Sequence, residues 1–289
     1  MINFMKLKYL YFAISLAFIV PGIISLGLYG FKSSIDFTGG SLLEIELKQT
    51  KPTPAEITQT LETQAELVSV TPAEGQRFVL KFKPLDRQQA LTIKEVLTKK
   101  YGEVTEIRFE TVGPTIGREL LRKTLTAIVI AAIAILIFVM KQFNQFKYGV
   151  CAVLAMFHDT IILLGAFSLL GHFYGVEVDT LFVTAVLTIL SFSVHDTIVV
   201  YDRIRESLKT NHKAGFTDIV NKAVNETLAR SINNSMTIIF MLLALWLLGG
   251  ESIRWFVFAL LIGTITGTYS STFVAAPLLI LWEDLKNRK

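Results

Sequence analysis

The sequence predicts an α-helical integral membrane protein with six transmembrane helices and an α+β domain inserted after the first. Three observations carry this. The 289-residue chain is 52% hydrophobic with a mean hydropathy of +0.52, too apolar for an ordinary water-soluble domain of that length. Apolar runs occur near 9–29, 125–140, 148–170, 181–201, 235–248 and 255–282. Most approach or exceed the roughly 20 residues that cross a bilayer, the second and fifth by borrowing flanking residues. Finally, 25 of the 52 charged residues fall within 32–119, which marks that stretch as a domain outside the membrane.

These boundaries divide the chain into 1–31 (N-terminus and first span), 32–119 (inserted domain), 120–282 (spans two to six) and a tail, 283–289. The first run is too long for a signal peptide, and Leu28-Tyr29-Gly30-Phe31 offers no small-residue cleavage site, so it is expected to be a retained span. Lys6 and Lys8 before it favour a cytoplasmic N-terminus. Alternation then puts Lys141, Lys147, a 202–230 loop and the tail with Lys286, Arg288 and Lys289 on the same side. That loop carries Arg203, Arg205, Lys209, Lys213, Lys222 and Arg230, whereas the opposite short loops 171–180 and 249–254 hold only Arg254 as a basic residue. Arg118, Arg122 and Lys123 run against this bias.

Within 32–119 the period shortens. Alternation predicts strands at 41–47, 67–71, 77–82 and 104–111, with Gly75 in the turn between the middle two. Helices are expected at 53–64, with Pro54 in the first turn, and at 86–101, stopped by Gly102. The order βαββαβ is the split ferredoxin-like pattern, whose sheet edges stay open to strand addition. Acids and bases nearly balance there, 13 against 12, so no nucleic-acid surface is implied. No His/Cys cluster, nucleophile elbow or phosphate loop occurs, which favours a binding or spacer module over an enzyme and predicts no metal. The single cysteine, Cys151, excludes an intrachain disulfide.

The chemistry is expected inside the membrane. In SVHDTIVVYDRIRE, residues 193–206, Asp196 lies within an apolar run, and an acid there is costly enough to suggest function. Its tripeptide His195-Asp196-Thr197 repeats His158-Asp159-Thr160 of the third span. Counting about 1.5 Å per residue from the cytoplasmic ends places Asp159 roughly 16 Å deep and Asp196 roughly 8 Å, close enough to share a polar pocket. Thr184, Thr188, Ser191 and His195 fall on one helix face that Asp196 borders. Arg230, Asn233 and Asn234 open the fifth span, and Gly263 and Gly267 are spaced for close helix packing in the sixth. A carboxylic acid in low dielectric favours its neutral form and a nearby guanidinium favours the ionised one, so a moving Arg230 would load and unload a proton on Asp196. Each charge carried through 100 mV is worth about 2.3 kcal/mol, enough to bias a bundle with two states. The plain alternatives are a structural acid bonded to serine or threonine, an Arg230 that anchors an interface, and a solvated helix end at Asp202, Arg203, Arg205 and Glu206.

Five stretches carry a resemblance. Asp36-Phe37-Thr38-Gly39-Gly40 is similar to the DFTGG box of the SecD/SecF family of protein-export membrane proteins, and Val112-Gly113-Pro114-Thr115-Ile116-Gly117 to its lead-in to the second span. SVHDTIVVYDRIRE, with Asp202, Arg203, Arg205 and Glu206, resembles the fourth-span signature of the SecF members. Residues 230–235 and Gly267-Thr268-Tyr269-Ser270-Ser271 resemble the fifth- and sixth-span motifs. The chain departs from the family at His195, where Asn is usual, and at Ser191-Phe192-Ser193, where Gly-Tyr-Ser is usual.

The resemblance implies half of an RND-type transporter. Its partners would be a separate SecD chain, the SecYEG translocon, a preprotein on the extracytoplasmic face and membrane lipid. It further implies use of the proton-motive force to assist export, with no covalent catalysis and no cofactor beyond protons. Asp196 and Arg230 would carry the protons, with Asp159 and His195 as further relay candidates, in a plasma (inner) or thylakoid membrane. Two other readings are a stand-alone, homodimeric RND-like exporter half for lipids or small molecules, and a passive scaffold that binds unfolded chains.

Overall fold

The computed structural model describes residues 2–73, 75–210 and 214–287; the expected loop residue Lys213 and tail residues Arg288 and Lys289 lie outside them. A 3-10 turn, Phe4–Leu7, leads into α1 (Lys8–Tyr29), followed by α2 (Ile35–Thr38), β1 (Gly40–Leu47), α3 (Pro54–Leu61), β2 (Leu67–Pro72), β3 (Arg77–Phe82), α4 (Arg87–Tyr101) and β4 (Val104–Val112). Five long helices complete the chain: α5 (Pro114–Phe143), α6 (Phe146–Tyr174), α7 (Thr180–Thr210), α8 (Phe216–Leu248) and α9 (Glu251–Ser270). A π-helical turn, Ser271–Ala275, joins α9 to α10 (Ala276–Asn287). Contacts separate two units, Ser33–Leu125 and Met1–Lys32 with Thr126–Lys289.

In the Ser33–Leu125 unit an antiparallel sheet has the order β2-β3-β1-β4. Alternation along β1 buries Leu43, Ile45 and Leu47 against Ile57 and Leu61 of α3 and Ile93 and Leu97 of α4. Both helices open on reciprocal caps, which satisfy N–H groups that have no partner within the helix. Thr53 Oγ1 accepts from the Glu56 amide at 3.3 Å while Glu56 Oε2 accepts from the Thr53 amide at 2.7 Å. Asp86 and Gln89 repeat this at 2.7 and 2.9 Å. Helix α3 stops at Leu61 rather than at 64, and the short α2 is not visible in the periodicity.

The two glycine-bearing boxes meet in this unit. Gly39 has φ +73°, and a Cβ on it would lie 2.7 Å from Pro114 Cα; one on Gly117 would lie 2.8 Å from the Phe37 carbonyl oxygen. The DFTGG and VGPTIG stretches therefore pack backbone to backbone, which only glycine permits.

Among the described residues six helical segments are long and apolar enough to cross a membrane: Phe4–Tyr29, Pro114–Phe143, Phe146–Tyr174, Thr180–Thr210, Phe216–Leu248 and Glu251–Asn287. The third, fourth and sixth bury about half of their most apolar windows (56%, 50% and 56%), against 17% or less for the others, so they form the centre of the bundle. Small residues allow the contacts. Gly22 of α1 and Gly165 of α6 touch backbone to backbone, and a Cβ on Gly263 would sit 2.2 Å from Ile189 Cδ1 on α7.

Three expectations are corrected. The second span begins at Pro114, because its charged first turns extend the helix that the apolar run 125–140 marks. Most of the 202–230 stretch is helical rather than loop: α7 runs through Thr210 and α8 starts at Phe216. The sixth span is broken by the π turn.

Candidate functional site

Helix α7 has two faces. Ile189, Ser193, Asp196, Thr197, Val200 and Ile204 recur at three- and four-residue steps and are buried. Thr184, Thr188, Ser191 and His195, the stripe expected to line the site, lie on the exposed face. In α6 the buried face reads Ala152, Ala155, Met156, Asp159, Leu163, its alanines admitting close neighbours.

Both acids are inside, Asp159 at 0% and Asp196 at 5% exposure, and each is held by two serines. Asp196 Oδ1 accepts a hydrogen bond from Ser231 of α8, and Oδ2 accepts one from Ser271 of the π turn. Asp159 Oδ2 accepts from Ser193 of α7 and from Ser270 of α9, both at 2.6 Å. Its Oδ1 is 2.9 Å from His158 Nδ1, and His158 Nε2 is 2.9 Å from Ser15 Oγ on α1. One polar network thus draws on α1, α6, α7, α8, α9 and the π turn. The acids do not touch each other; they are linked through consecutive serines. Ser15 is absent from the sequence-based candidates, while Ser193, Ser231, Ser270 and Ser271 figure there only as motif letters. The one sequence signal for them is position, since the last four fall inside the family-like boxes.

Arg230 does not pair with Asp196. It is exposed and makes no hydrogen bond or ion pair among the described residues, whereas its neighbour Ser231, about 100° round the helix, turns inward to the acid. His195 is likewise exposed, one position from Asp196 and about 100° round the helix. Asn233 and Asn234 are also exposed, so α7 and α8 present polar side chains on the outside of the bundle.

The Asp202–Glu206 cluster fastens helix ends. Arg203 binds Glu206 at 2.5 Å and Glu226 of α8 at 2.6 Å; Arg205 binds Asp202 at 2.6 Å and the Gln142 carbonyl of α5 at 2.9 Å. Gly267 lies against Ser193, 3.4 Å from a would-be Cβ to its Cα, and so brings the sixth span next to the serine that serves Asp159. Among the described residues no group of three or more His, Cys, Asp or Glu side chains converges as a metal site would require.

Fold and site together define a multi-pass membrane protein whose polar centre is a pair of serine-bound carboxylates. The sequence matches the profile of Protein export membrane protein SecD/SecF, C-terminal, over residues 92–285, and that of the SecD/SecF GG Motif over 24–51. The chain belongs to the SecD/SecF family. It is 42% identical over 295 residues to protein translocase subunit SecF of Anaerolinea thermophila and 39% identical over 302 residues to that of Thermobaculum terrenum, covering 98% of this chain and 95% of the relative in each case. It is similar to the crystal structure of SecDF, a translocon-associated membrane protein from Thermus thermophilus, with a TM-score of 0.86 and 33% identity over 98% of this chain. A second SecDF structure, in a super-membrane-facing form, gives a TM-score of 0.73 and 32% identity over 99% of this chain. The chain spans 39% of each SecDF chain.

Proposed function

We propose that this protein is an accessory subunit of the Sec protein translocase that works with a SecD-type chain and uses the proton-motive force to assist preprotein export through SecYEG. The observation that carries the reading is Asp196, buried at membrane depth and bonded to serines from two other segments of the bundle. An ionisable group there is expensive and must be paired, and serine hydroxyls can serve either protonation state, because each can donate or accept. Near-full-length similarity to protein translocase subunits supports the assignment. Transport of protons and preprotein requires no covalent catalysis and no resident cofactor.

The polar outer surface of α7 and α8 supports the partnership. Ser191, His195, Arg230, Asn233 and Asn234 would be poorly solvated by lipid, and the similarity covers only 39% of each SecDF chain, which leaves room for a SecD-like remainder beside it. Arg230 then acts towards that partner rather than towards Asp196. The βαββαβ order and the β2-β3-β1-β4 arrangement support a ferredoxin-like reading of the inserted unit, on the extracytoplasmic side where the preprotein emerges. Lys6, Lys8, Lys141 and Lys147 support cytoplasmic termini in a plasma (inner) or thylakoid membrane.

The test is export in cells carrying Asp196→Asn or Arg230→Ala at wild-type membrane levels. Accumulated preprotein with the SecD-type chain still co-purifying is the expected result. Normal export in both variants would refute proton coupling through these residues.

A further inference from the structure

Resting on the proton-coupling reading above, we infer that Ser270 and Ser271 are positioning residues that tie Asp159 and Asp196 to one turn of the sixth span, so that the charge state of either acid changes the hydrogen bonding of that turn. Neighbouring residues on a helix point about 100° apart, which lets two consecutive serines serve two different helices. Ser270 reaches Asp159 on α6, and Ser271 reaches Asp196 on α7.

Each serine has a second acceptor within reach. Ser270 Oγ is 3.3 Å from the Gly267 carbonyl oxygen, and Ser271 Oγ is 3.1 Å from that of Thr268. A hydroxyl has one hydrogen to give and lone pairs to receive. While the acid is ionised, that hydrogen belongs to the carboxylate, because charge-assisted bonds are the stronger ones. When the acid takes up a proton, its new O–H donates to the serine oxygen, and the serine hydrogen swings to the carbonyl behind it. One proton enters, one hydrogen bond reverses, and the serine hydrogen makes one further bond to the backbone.

The backbone at this place is built to respond. Serine bonds to carbonyls of the preceding turn bend helices, and π turns mark places where the regular ladder is already relaxed. Pro277, two residues beyond the π turn, has no N–H to return to that ladder. The Thr272 hydroxyl, in the same turn and 1% exposed, makes no hydrogen bond among the described residues, so the turn holds spare bonding capacity beside the two serines. Of the titratable groups near the acids, His158 touches Asp159, and Tyr269 stacks on the His158 ring at 6.2 Å between centroids. His195 and Arg230 adjoin Asp196 and Ser231 in sequence but face outward.

The experiment measures the pH profile of preprotein export in membrane vesicles that contain the translocon and the SecD-type chain. It compares wild type with Ser270→Ala, Ser271→Ala and the double variant at matched levels. Losing the donor to an ionised acid should move the profile to higher pH by about one unit or more for Ser271→Ala. Ser271→Cys, which keeps the side-chain shape and weakens the donor, should behave alike, and Ser271→Thr, which keeps the hydroxyl, should restore the wild-type profile. An unchanged profile in the alanine or cysteine variants would overturn the inference. Asp196→Asn is run beside them: export that survives it sinks the proton-coupling reading itself, whereas export lost in Asp196→Asn with unshifted serine variants sinks only the role given to the serines.

Discussion

The two units of this molecule bury opposite things. In the Ser33–Leu125 unit, β1 turns Leu43, Ile45 and Leu47 inward, while Glu44 and Glu46 stand on the other face, opposite Arg108 and Arg77 in register. In the helical unit the outside away from the polar faces of α7 and α8 is apolar, with Leu16, Phe18, Leu247 and Leu248 all more than half exposed, and the centre holds Ser15, Asp159, Ser193, Asp196, Ser270 and Ser271. Water drives the first arrangement by expelling apolar surface. Lipid gives no such drive between helices, so association rests on close backbone approach and on hydrogen bonds. One unit should therefore be sensitive to lost volume, and the other to added volume and lost donors.

Substitutions can break that contrast, and the largest effect on stability is expected in the sheet. Ile45→Ala removes a fully buried side chain and should cost about 2–5 kcal/mol, seen as faster proteolysis of the 33–125 stretch in the otherwise intact protein. Next comes Gly263→Ala in the bundle. Its new Cβ meets Ile189 at 2.2 Å, an overpacking worth about 1–3 kcal/mol, seen as a lower thermal midpoint in detergent. A similar midpoint shift from Ile189→Ala alone, with Gly263→Ala harmless, would reverse the contrast.

Smaller still is Thr53→Ala, which removes one half of a reciprocal cap at about 1 kcal/mol. The other half adds a pH dependence. The Thr53 amide and hydroxyl, in that order, hold the Glu56 carboxyl below its usual range. Because the folded value is the lower one, the stabilisation is complete above the ordinary glutamate value of about 4.3 and fades as pH falls through the folded value. Amide exchange over α3 should rise in that acid window, and Glu56→Gln should flatten the dependence. Equal acid sensitivity in Glu56→Gln would remove Glu56 as its source.

The same contrast explains what the sequence discloses. In the sheet unit, alternation with Pro54, Gly75 and Gly102 as punctuation places every strand to within a residue, because only one face of β1 can meet the core. In α7 both faces are compatible with a low-dielectric surrounding, so spacing groups Thr184, Thr188, Ser191 and His195 without telling whether they face the bundle or its outside; they face outside. Hydroxyl residues compound this. Thr160, Thr184, Thr188 and Thr197 each bond a carbonyl one turn back on their own helix, which makes them indistinguishable in a sequence from Ser193 or Ser231, whose hydroxyls cross to an acid. Asp159 and Asp196 were legible because an acid in an apolar run has few tolerable positions. The π turn was not, since no residue type in Ser271–Ala275 demands it; only Pro277 just beyond hints at an interrupted ladder.

The most direct test of the central claim imposes a proton gradient on vesicles that contain the translocon, the SecD-type chain and this protein, and follows preprotein export. Asp196→Asn, alone and with Asp159→Asn, is compared with wild type at equal amounts. Export that accelerates with the gradient in wild type, and no longer responds to it in Asp196→Asn, is the outcome expected of a buried acid that binds and releases a proton in each cycle. A gradient response that persists unchanged in the double variant would contradict it, and would leave the serine-bound acids as structural elements of the bundle.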